Sequence, residues 1–176
     1  AIAIQERLRG TIPDEVIDVA IAAIRKQLAE LKPAQSVEQR KRVTILFADL
    51  SGFTSMAERM DAEEVGQIMS AYFAAVTPAI SRHGGIIEKF IGDAVMAVFG
   101  LAQARENDPE NGVKAALEMQ HALVELNERM TAEWGFRLAM RIGVNTGPVI
   151  AKYLGGVREQ DFTVVGDAVN LASRLE

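Results

Sequence analysis

Asp49 and Asp93 are the residues of this chain whose positions best suit metal-ion chemistry. Asp49 ends the apolar run VTILFAD and is followed by LSGFTS, a turn that leads into a predicted helix. A carboxylate that follows a buried strand, beside the free N–H groups of a helix, can hold a metal ion next to a phosphate. Asp93 lies in a Gly-Asp turn between the predicted strands IIEKFI and AVMAVF. Aspartate is also common in turns for purely structural reasons. The pair is more informative, because aspartates on neighbouring strands could share two divalent cations, as in two-metal phosphoryl transfer.

The tetrapeptide GDAV occurs twice, at residues 92–95 and 166–169, and its two copies have different neighbours. In the second copy, Asp167 is predicted to be the N-cap of the helix AVNLASRLE. Asn170 and Arg174 lie four positions apart and therefore share one face of that helix. A neutral donor beside a guanidinium suits a sugar oxygen and a phosphate, although a solvated polar stripe has the same composition. We therefore predict two separate roles: metal binding for the first aspartate and helix initiation for the second.

From Arg42 onward, alternating strand and helix patterns predict an α+β fold. Their order, β-α-α-β-β-α-β-β-α, suggests helices on one face of a mainly antiparallel sheet, a ferredoxin-like or palm-type arrangement. The other face of the sheet would then be left for a site or a partner.

Local signals set the boundaries of these elements. SMAE and DAEE both fit the capping box that opens helices. NDP predicts another helix, with Asp108 as its N-cap and Pro109 in its first turn. FRLAMRIGV alternates between apolar and polar residues and predicts a strand, and GPVIAKYLGGVREQDFTVV predicts a further hairpin. The helix after DAEE has an apolar face made of Val65, Ile68, Met69, Tyr72, Phe73 and Val76.

Residues 1–40 form a separate segment in this interpretation, and the main domain is predicted to cover 41–176. The stretch IPDEVIDVAIAAIRKQLAEL carries an apolar stripe at helical spacing, and KPAQS is typical of a linker. Such a helix could pack on its own domain or contact a neighbour or a second copy. Because the chain starts at Ala1 and stops at Glu176 inside a helical pattern, we expect it to be part of a longer protein.

Composition excludes several kinds of function. The 176 residues include no cysteine, which excludes disulfides, thiolate zinc sites and cysteine nucleophiles. The net charge of −5 argues against binding to nucleic acid or to anionic membranes. No apolar run is long enough to span a bilayer and no signal peptide is visible, so we expect no membrane insertion and a cytoplasmic location. The sequence contains no GxxxxGK[ST], GxGxxG, HExxH or GxSxG motif.

Four segments together resemble the catalytic domain of class III nucleotidyl cyclases: VTILFADLSGFTSMAE, HGGIIEKFIGDAVMAVFG, MRIGVNTGPVIA and VVGDAVNLASRLE. They occur in the family's order and spacing over about residues 42–176. The resemblance implies that a nucleoside triphosphate is converted to its 3′,5′-cyclic monophosphate with release of pyrophosphate. It also implies two divalent cations, Mg²⁺ or Mn²⁺, as cofactors. The family's phosphate-binding lysine belongs to a terminal hairpin, which would lie beyond Glu176.

The resemblance implies a role for each matching residue. Asp49 and Asp93 match the metal-binding aspartates, and the backbone carbonyl of Leu50 usually adds a ligand. Asn170 matches the asparagine that orients the ribose, and Arg174 the arginine that stabilises the pentavalent transition state. Three further positions are implied to bind the substrate. These are Arg141, at the terminal phosphates, and Phe53 and Thr54, after the first aspartate.

Two positions are implied to select the base. Lys89 matches the position at which adenylyl cyclases carry lysine, which can donate to N1 of adenine but opposes the N1–H of guanine. Thr163 stands where many adenylyl cyclases have aspartate, and its hydroxyl can still accept from the adenine amino group. The sequence therefore resembles a threonine-containing subgroup of adenylyl cyclases, with ATP as the substrate. Because that subgroup includes bicarbonate-stimulated enzymes, the resemblance also raises bicarbonate regulation.

The family forms its active sites between two protomers, so a homodimer with two composite sites is expected. Three other interpretations compete with that of a catalytic nucleotidyl cyclase. A regulatory dimerisation domain of the same fold would be expected to lack an essential residue. A diguanylate-cyclase-like enzyme would need a GGDEF-like hairpin. A structural module would not explain why Asp49, Asp93, Asn170 and Arg174 occur at the family's spacing. The catalytic interpretation is therefore preferred.

Overall fold

The structure is a computed structural model that describes residues 38–153 and 162–176. The predicted N-terminal helix and the linker KPAQS lie outside the described residues. The described elements are, in order, β1 (Glu38–Leu50), α1 (Phe53–Ala57), α2 (Ala62–Arg82), β2 (Ile86–Ile91), β3 (Ala94–Phe99), α3 (Asp108–Trp134), β4 (Met140–Tyr153), β5 (Phe162–Val165) and α4 (Asp167–Leu175).

The five strands form one sheet in the order β2-β3-β1-β4-β5. β1 lies in the centre and pairs antiparallel with β3 and with β4, and β2 pairs antiparallel with β3. The predicted α+β fold with a mainly antiparallel sheet is thus confirmed, and so is the order of its elements. β1 starts at Glu38, three positions before the predicted domain boundary at 41, because it pairs with β4 from Glu38 through Leu50.

The main hydrophobic core lies between the sheet and the helices α2 and α3. Alternate residues of β1, Leu46, Ala48 and Leu50, join this core, as strand geometry requires of residues that share one face. Asp61 caps α2 by accepting a hydrogen bond from the backbone N–H of Glu63, so the DAEE signal is confirmed as a helix start. The predicted apolar face of α2 is buried or half-buried along its length.

The short helix α4 packs on the opposite face of the sheet, against β4, so the expectation that the helices lie on one face is wrong for this helix. A Cβ added at Gly143 would lie 2.1 Å from the carbonyl oxygen of Ala172. A Cβ added at Gly147 would lie 2.7 Å from the Cβ of Ala168. Between the two glycines, Asn145 Nδ2 donates to the Ala168 carbonyl over 3.0 Å. Glycine in a strand commonly marks such a close approach, and here it lets a helix lie directly on the strand.

Three predicted helix starts were wrong in detail. The residues SMAE do not cap a helix, because α1 already begins at Phe53, after Gly52 with φ 73°. Asp108 is the first residue of α3, and the N-cap is Asn107. The Oδ2 atom of Asp108 accepts a hydrogen bond from the Arg105 backbone N–H. Asp167 is likewise the first residue of α4, because the hydrogen bonds of that helix begin at the Gly166 carbonyl.

The strand predicted at FRLAMRIGV begins only at Met140. The preceding residues are held by the buried side chain of Asn127, which donates to the Leu138 carbonyl and accepts from the Leu138 N–H. These bonds occupy groups that strand pairing would otherwise use. The apolar face of the segment is nevertheless confirmed, since Phe136, Leu138, Met140, Ile142 and Val144 all belong to or contact the core.

Candidate active site

The pairing of β1 with β3 brings Asp49 and Asp93 together. The last paired residues are Ala48 and Val95. Asp49 follows Ala48 directly in β1, and Asp93 lies two positions before Val95, in the turn that leads into β3. Burial raises the pKa of Asp49, and the negative charge of Asp93 and a hydrogen bond with it raise that pKa further. The Leu50 backbone N–H donates to the Asp49 carboxylate and opposes this shift. The two carboxyl groups predicted from the sequence as a pair therefore interact directly.

These acids fit divalent cations. Two carboxylates held together repel each other, and a cation between them would remove that repulsion while using the oxygen ligands that Mg²⁺ prefers. In the described part of the chain, no group of three or more acidic or histidine side chains is arranged to hold a metal ion. The fit therefore rests on this pair.

Arg141 lies opposite Asp49 in the register of β1 and β4. Its Nη2 is 3.9 Å from Asp49 Oδ2, and its side chain is 61% exposed. The guanidinium therefore lies beside the acids and remains accessible to a ligand.

A third acid, Glu176, was not expected from the sequence. Burial raises its pKa, the charge of Asp49 raises it further, and Arg141 opposes the shift. Burial together with the charges of Asp49 and Asp93 also raises the pKa of Tyr72, whose hydroxyl donates to Met140 Sδ. The charges of these aspartates thus raise the pKa of a residue at the end of α4, Glu176, and of a residue in the core, Tyr72.

The residues after Asp49 differ in their access to a ligand. Phe53 is buried in the hydrophobic core, so only its backbone is available for the predicted role in substrate binding. Thr54 is exposed at the start of α1.

Asn170 and Arg174 are both exposed on α4, on the side opposite the buried Ala168 and Ala172. Two exposed leucines, Leu171 and Leu175, accompany them. The exposed surface of α4 therefore contains both polar and apolar side chains.

Lys89 and Thr163 come together through a residue that the sequence interpretation did not single out, Glu88. Thr163 Oγ1 donates to Glu88 Oε1 over 2.8 Å, and Lys89 Nζ lies 2.9 Å from Glu88 Oε2. The Glu88 side chain is 2% exposed, whereas that of Lys89 is 45% exposed. A carboxylate inside the apolar strand IIEKFI was a signal that could have found it, because a charge in such a place is buried only with partners.

Residues 35–176 match the family model for the adenylate and guanylate cyclase catalytic domain. The chain belongs to this family. An adenylate cyclase of Anabaena cylindrica is 39% identical over 140 residues, which cover 77% of this chain but 27% of that protein. The cyclase domain therefore spans about a quarter of that relative's length.

Solved cyclase structures share the fold. The adenylyl cyclase CyaB from P. aeruginosa has a TM-score of 0.73 and 32% identity, covering 79% of this chain and 72% of that one. The guanylyl cyclase Cya2 has a TM-score of 0.72 and 38% identity, covering 77% of this chain and 69% of that one. Similarity to both kinds of enzyme assigns the family but not the base.

Members of this family generally use divalent metal ions, in keeping with the Asp49–Asp93 pair. Within the described residues, no helix of the cyclase domain combines the length and apolarity needed to cross a membrane.

Proposed function

We propose that this domain converts ATP to 3′,5′-cyclic AMP and pyrophosphate, in a homodimer with two composite active sites. The observation that carries this proposal is that the pairing of β1 with β3 brings Asp49 and Asp93 together, beside an accessible Arg141. In the reaction the ribose 3′-oxygen attacks the α-phosphorus, a new O–P bond forms, and the bond to the bridging oxygen of pyrophosphate breaks. The 3′-hydroxyl gives up its proton to solvent water, and the charge on the leaving pyrophosphate increases.

Asp49 and Asp93 would hold two divalent cations, whose charge, when bound, lowers the pKa of the 3′-hydroxyl and offsets that of the phosphates. We expect the Leu50 carbonyl to add a ligand. Arg141 binds the terminal phosphates, since its exposed guanidinium can donate to two oxygens at once. The first turn of α1, including Thr54 and the backbone of Phe53, lies after Asp49 and lines the phosphate side of the site.

The ribose and the transition state are assigned to α4. Asn170 orients the sugar, and Arg174 stabilises the charge that develops on the five-coordinate phosphorus. Both side chains are exposed, which supports a role towards a ligand held with a second protomer.

A second copy of the chain is also supported by exposed apolar residues around the site. Phe90 and Ile91 follow Lys89 on β2 and are 50% and 51% exposed, and Leu171 and Leu175 flank Asn170 and Arg174 on α4. Apolar surface next to functional polar groups is typical of a protein interface. In the dimer the metal-binding aspartates would come from one protomer, and Lys89, Thr163, Asn170 and Arg174 from its partner.

ATP is proposed because Lys89 and Thr163 are held at one place through Glu88. An ammonium donor suits N1 of adenine, and a hydroxyl can accept from the adenine amino group. Cytoplasmic location and bicarbonate regulation stay predictions from the sequence.

Product analysis by mass spectrometry tests this function. Purified protein would be incubated with ATP or GTP and with Mg²⁺ or Mn²⁺, both as this chain and as a chain extended beyond Glu176. Cyclic AMP formation by the wild type, lost in Asp93→Ala and kept in Asp61→Asn, would support the proposal. Asp61 is an exposed helix cap, and asparagine preserves capping. Cyclic GMP as the main product would make the domain a guanylyl cyclase. A dimer without cyclic product in either form would instead indicate a regulatory dimerisation domain.

A further inference from the structure

Glu88 occupies a place in the fold where a charged side chain needs a reason. Its side chain is 2% exposed, on a strand whose neighbours are mostly apolar. Both oxygens point at residues that the proposed function assigns to base recognition, Oε1 at the Thr163 hydroxyl and Oε2 at the Lys89 ammonium. Among the described residues Oε2 has no well-aligned hydrogen-bond donor, so its contact with Lys89 is an ion pair.

An irregularity of β2 makes this arrangement possible. Consecutive residues of a strand normally point to opposite faces, which would separate Glu88 from Lys89. The pairing of β2 with β3 shifts between Ile87 and Lys89, which leaves Glu88 as the extra residue of a bulge. Bulges of this kind redirect side chains near functional sites.

We propose that Glu88 is a positioning residue that sets the preference for adenine by fixing the direction of the Thr163 hydroxyl. The inference deepens the proposed function and rests on it. A threonine hydroxyl has one proton and two lone pairs. Because that proton is given to Glu88, only lone pairs remain for a base. Thr163 then accepts from the adenine amino group, whereas the O6 acceptor of guanine meets another acceptor.

Glu88 acts on Lys89 as well. The ion pair restrains a long side chain that is 45% exposed. An ammonium has three protons, so the contact with Glu88 leaves others for N1 of the base. One buried carboxylate thus presents an acceptor and a donor side by side, which matches the amino group and N1 of adenine.

The substitution Glu88→Gln keeps the shape of the side chain but changes its hydrogen bonding. The ammonium of Lys89 favours the amide oxygen as its neighbour, which turns the amide NH₂ towards Thr163. The Thr163 hydroxyl then accepts from the amide, and its own proton points at the base. The polarity seen by the exocyclic group of the base is therefore reversed.

The test compares ATP with purine riboside triphosphate, which lacks the amino group but keeps N1. We expect the wild type to prefer ATP in kcat/KM by about three- to tenfold, the range of a single neutral hydrogen bond. In Thr163→Val this ratio should fall to about one, in Glu88→Gln to about one or below, and the double variant should resemble Thr163→Val. The carboxylate of Glu88→Asp should restore part of the preference. Glu118→Gln, which removes a carboxylate paired with Arg82 and His83, is the matched control and should keep the ratio.

An unchanged ratio in Glu88→Gln overturns the inference, even if the thermal midpoint falls, because a purely structural role would slow both nucleotides equally. If Glu88→Gln does not fold, an unchanged ratio in Thr163→Val overturns it too. Failure of the proposed function is recognised separately, by absence of cyclic product from the wild type. ATP is then not consumed, and the same comparison is made by calorimetric binding of both nucleotides. Absence of binding would overturn both.

Discussion

Asp49 and Arg141 are cross-strand partners, with Arg141 Nη2 3.9 Å from Asp49 Oδ2. The register of the two longest strands therefore places a cation beside an acid whose pKa is raised by burial and by Asp93. The same guanidinium opposes the raised pKa of Glu176. Arg141 thus limits the repulsion among three acids and still has most of its side chain exposed for a phosphate.

Replacing Arg141 by methionine is expected to shift the acidic limb of the pH–activity profile to higher pH. Without the guanidinium the pKa of Asp49 rises further, and the carboxylate needed for metal binding forms only at higher pH. The KM for ATP should also increase, by about tenfold or more, because the charged hydrogen bond proposed between Arg141 and a phosphate would be lost. Steady-state kinetics from about pH 5 to about pH 9 would measure both the acidic limb of the profile and the KM for ATP. Arg137→Met, at an exposed arginine before β4, is the control. An unmoved acidic limb would contradict the assigned electrostatics.

Asp49→Asn is expected to stabilise the metal-free protein at neutral pH while abolishing activity. A carboxyl group with a raised pKa in the folded state destabilises that state once the group ionises. As the pH rises from the ordinary value of 3.8 through the folded pKa, the wild type therefore loses stability. In a chelator at pH 7 the thermal midpoint of the variant should therefore be higher than that of the wild type.

With Mg²⁺ present we expect the opposite order of thermal midpoints, with the wild type above Asp49→Asn. Mg²⁺ should raise the midpoint of the wild type, because a ligand that binds only the folded state stabilises it, and should leave Asp49→Asn unchanged. Below the ordinary pKa of the carboxyl group the two metal-free proteins should converge. A wild type that is more stable than the variant in chelator at pH 7 would disprove the raised pKa.

Sequence patterns were sufficient for the sheet and for the paired aspartates because both depend on local signals. The apolar run before Asp49 and the hairpin around Asp93 define neighbouring strands, and neighbouring strands bring their ends together. Helix starts were less predictable: Gly52 and Gly166 precede α1 and α4, whereas the side chains of Ser55 and Asp167 suggested other boundaries. Capping residues compete over one to three positions, and the sequence does not say which carbonyl begins the hydrogen-bond series.

Glu88 was overlooked for a different reason. Its role depends on a bulge in β2 and on a contact with β5, at the opposite edge of the strand order. Neither a shift in register nor a contact over 75 positions leaves a periodic pattern in the sequence. Only the presence of an acid in an apolar strand pointed to it.

Gly143→Ala is expected to remove activity while leaving the sheet folded. The new Cβ would lie 2.1 Å from the Ala172 carbonyl, so α4 must move away from β4 and carry Asn170 and Arg174 with it. Overpacking of this kind costs about 1–3 kcal/mol, which chemical unfolding would measure. Gly66→Ala is a matched control inside α2, where an added Cβ meets no described residue within 4 Å, and it should be neutral or stabilising. Full activity of Gly143→Ala would show that the position of α4 is not critical.

Mixing two inactive variants provides the sharpest test of a composite site. Asp93→Ala lacks a proposed metal-binding group, and Arg174→Ala lacks the proposed transition-state arginine, so each homodimer should be inactive. In a mixed dimer one site combines the intact Asp93 of one protomer with the intact Arg174 of the other, while the second site carries both defects. With equal amounts and free exchange, half of the dimers are mixed and each has one working site, so activity should recover to about a quarter of the wild type. A mixture of Asp93→Ala with Asp49→Ala is the control and should stay inactive, because both defects fall on the same half of the site. Recovery in neither mixture, despite exchange shown by differently labelled protomers, would mean that each protomer builds its site alone.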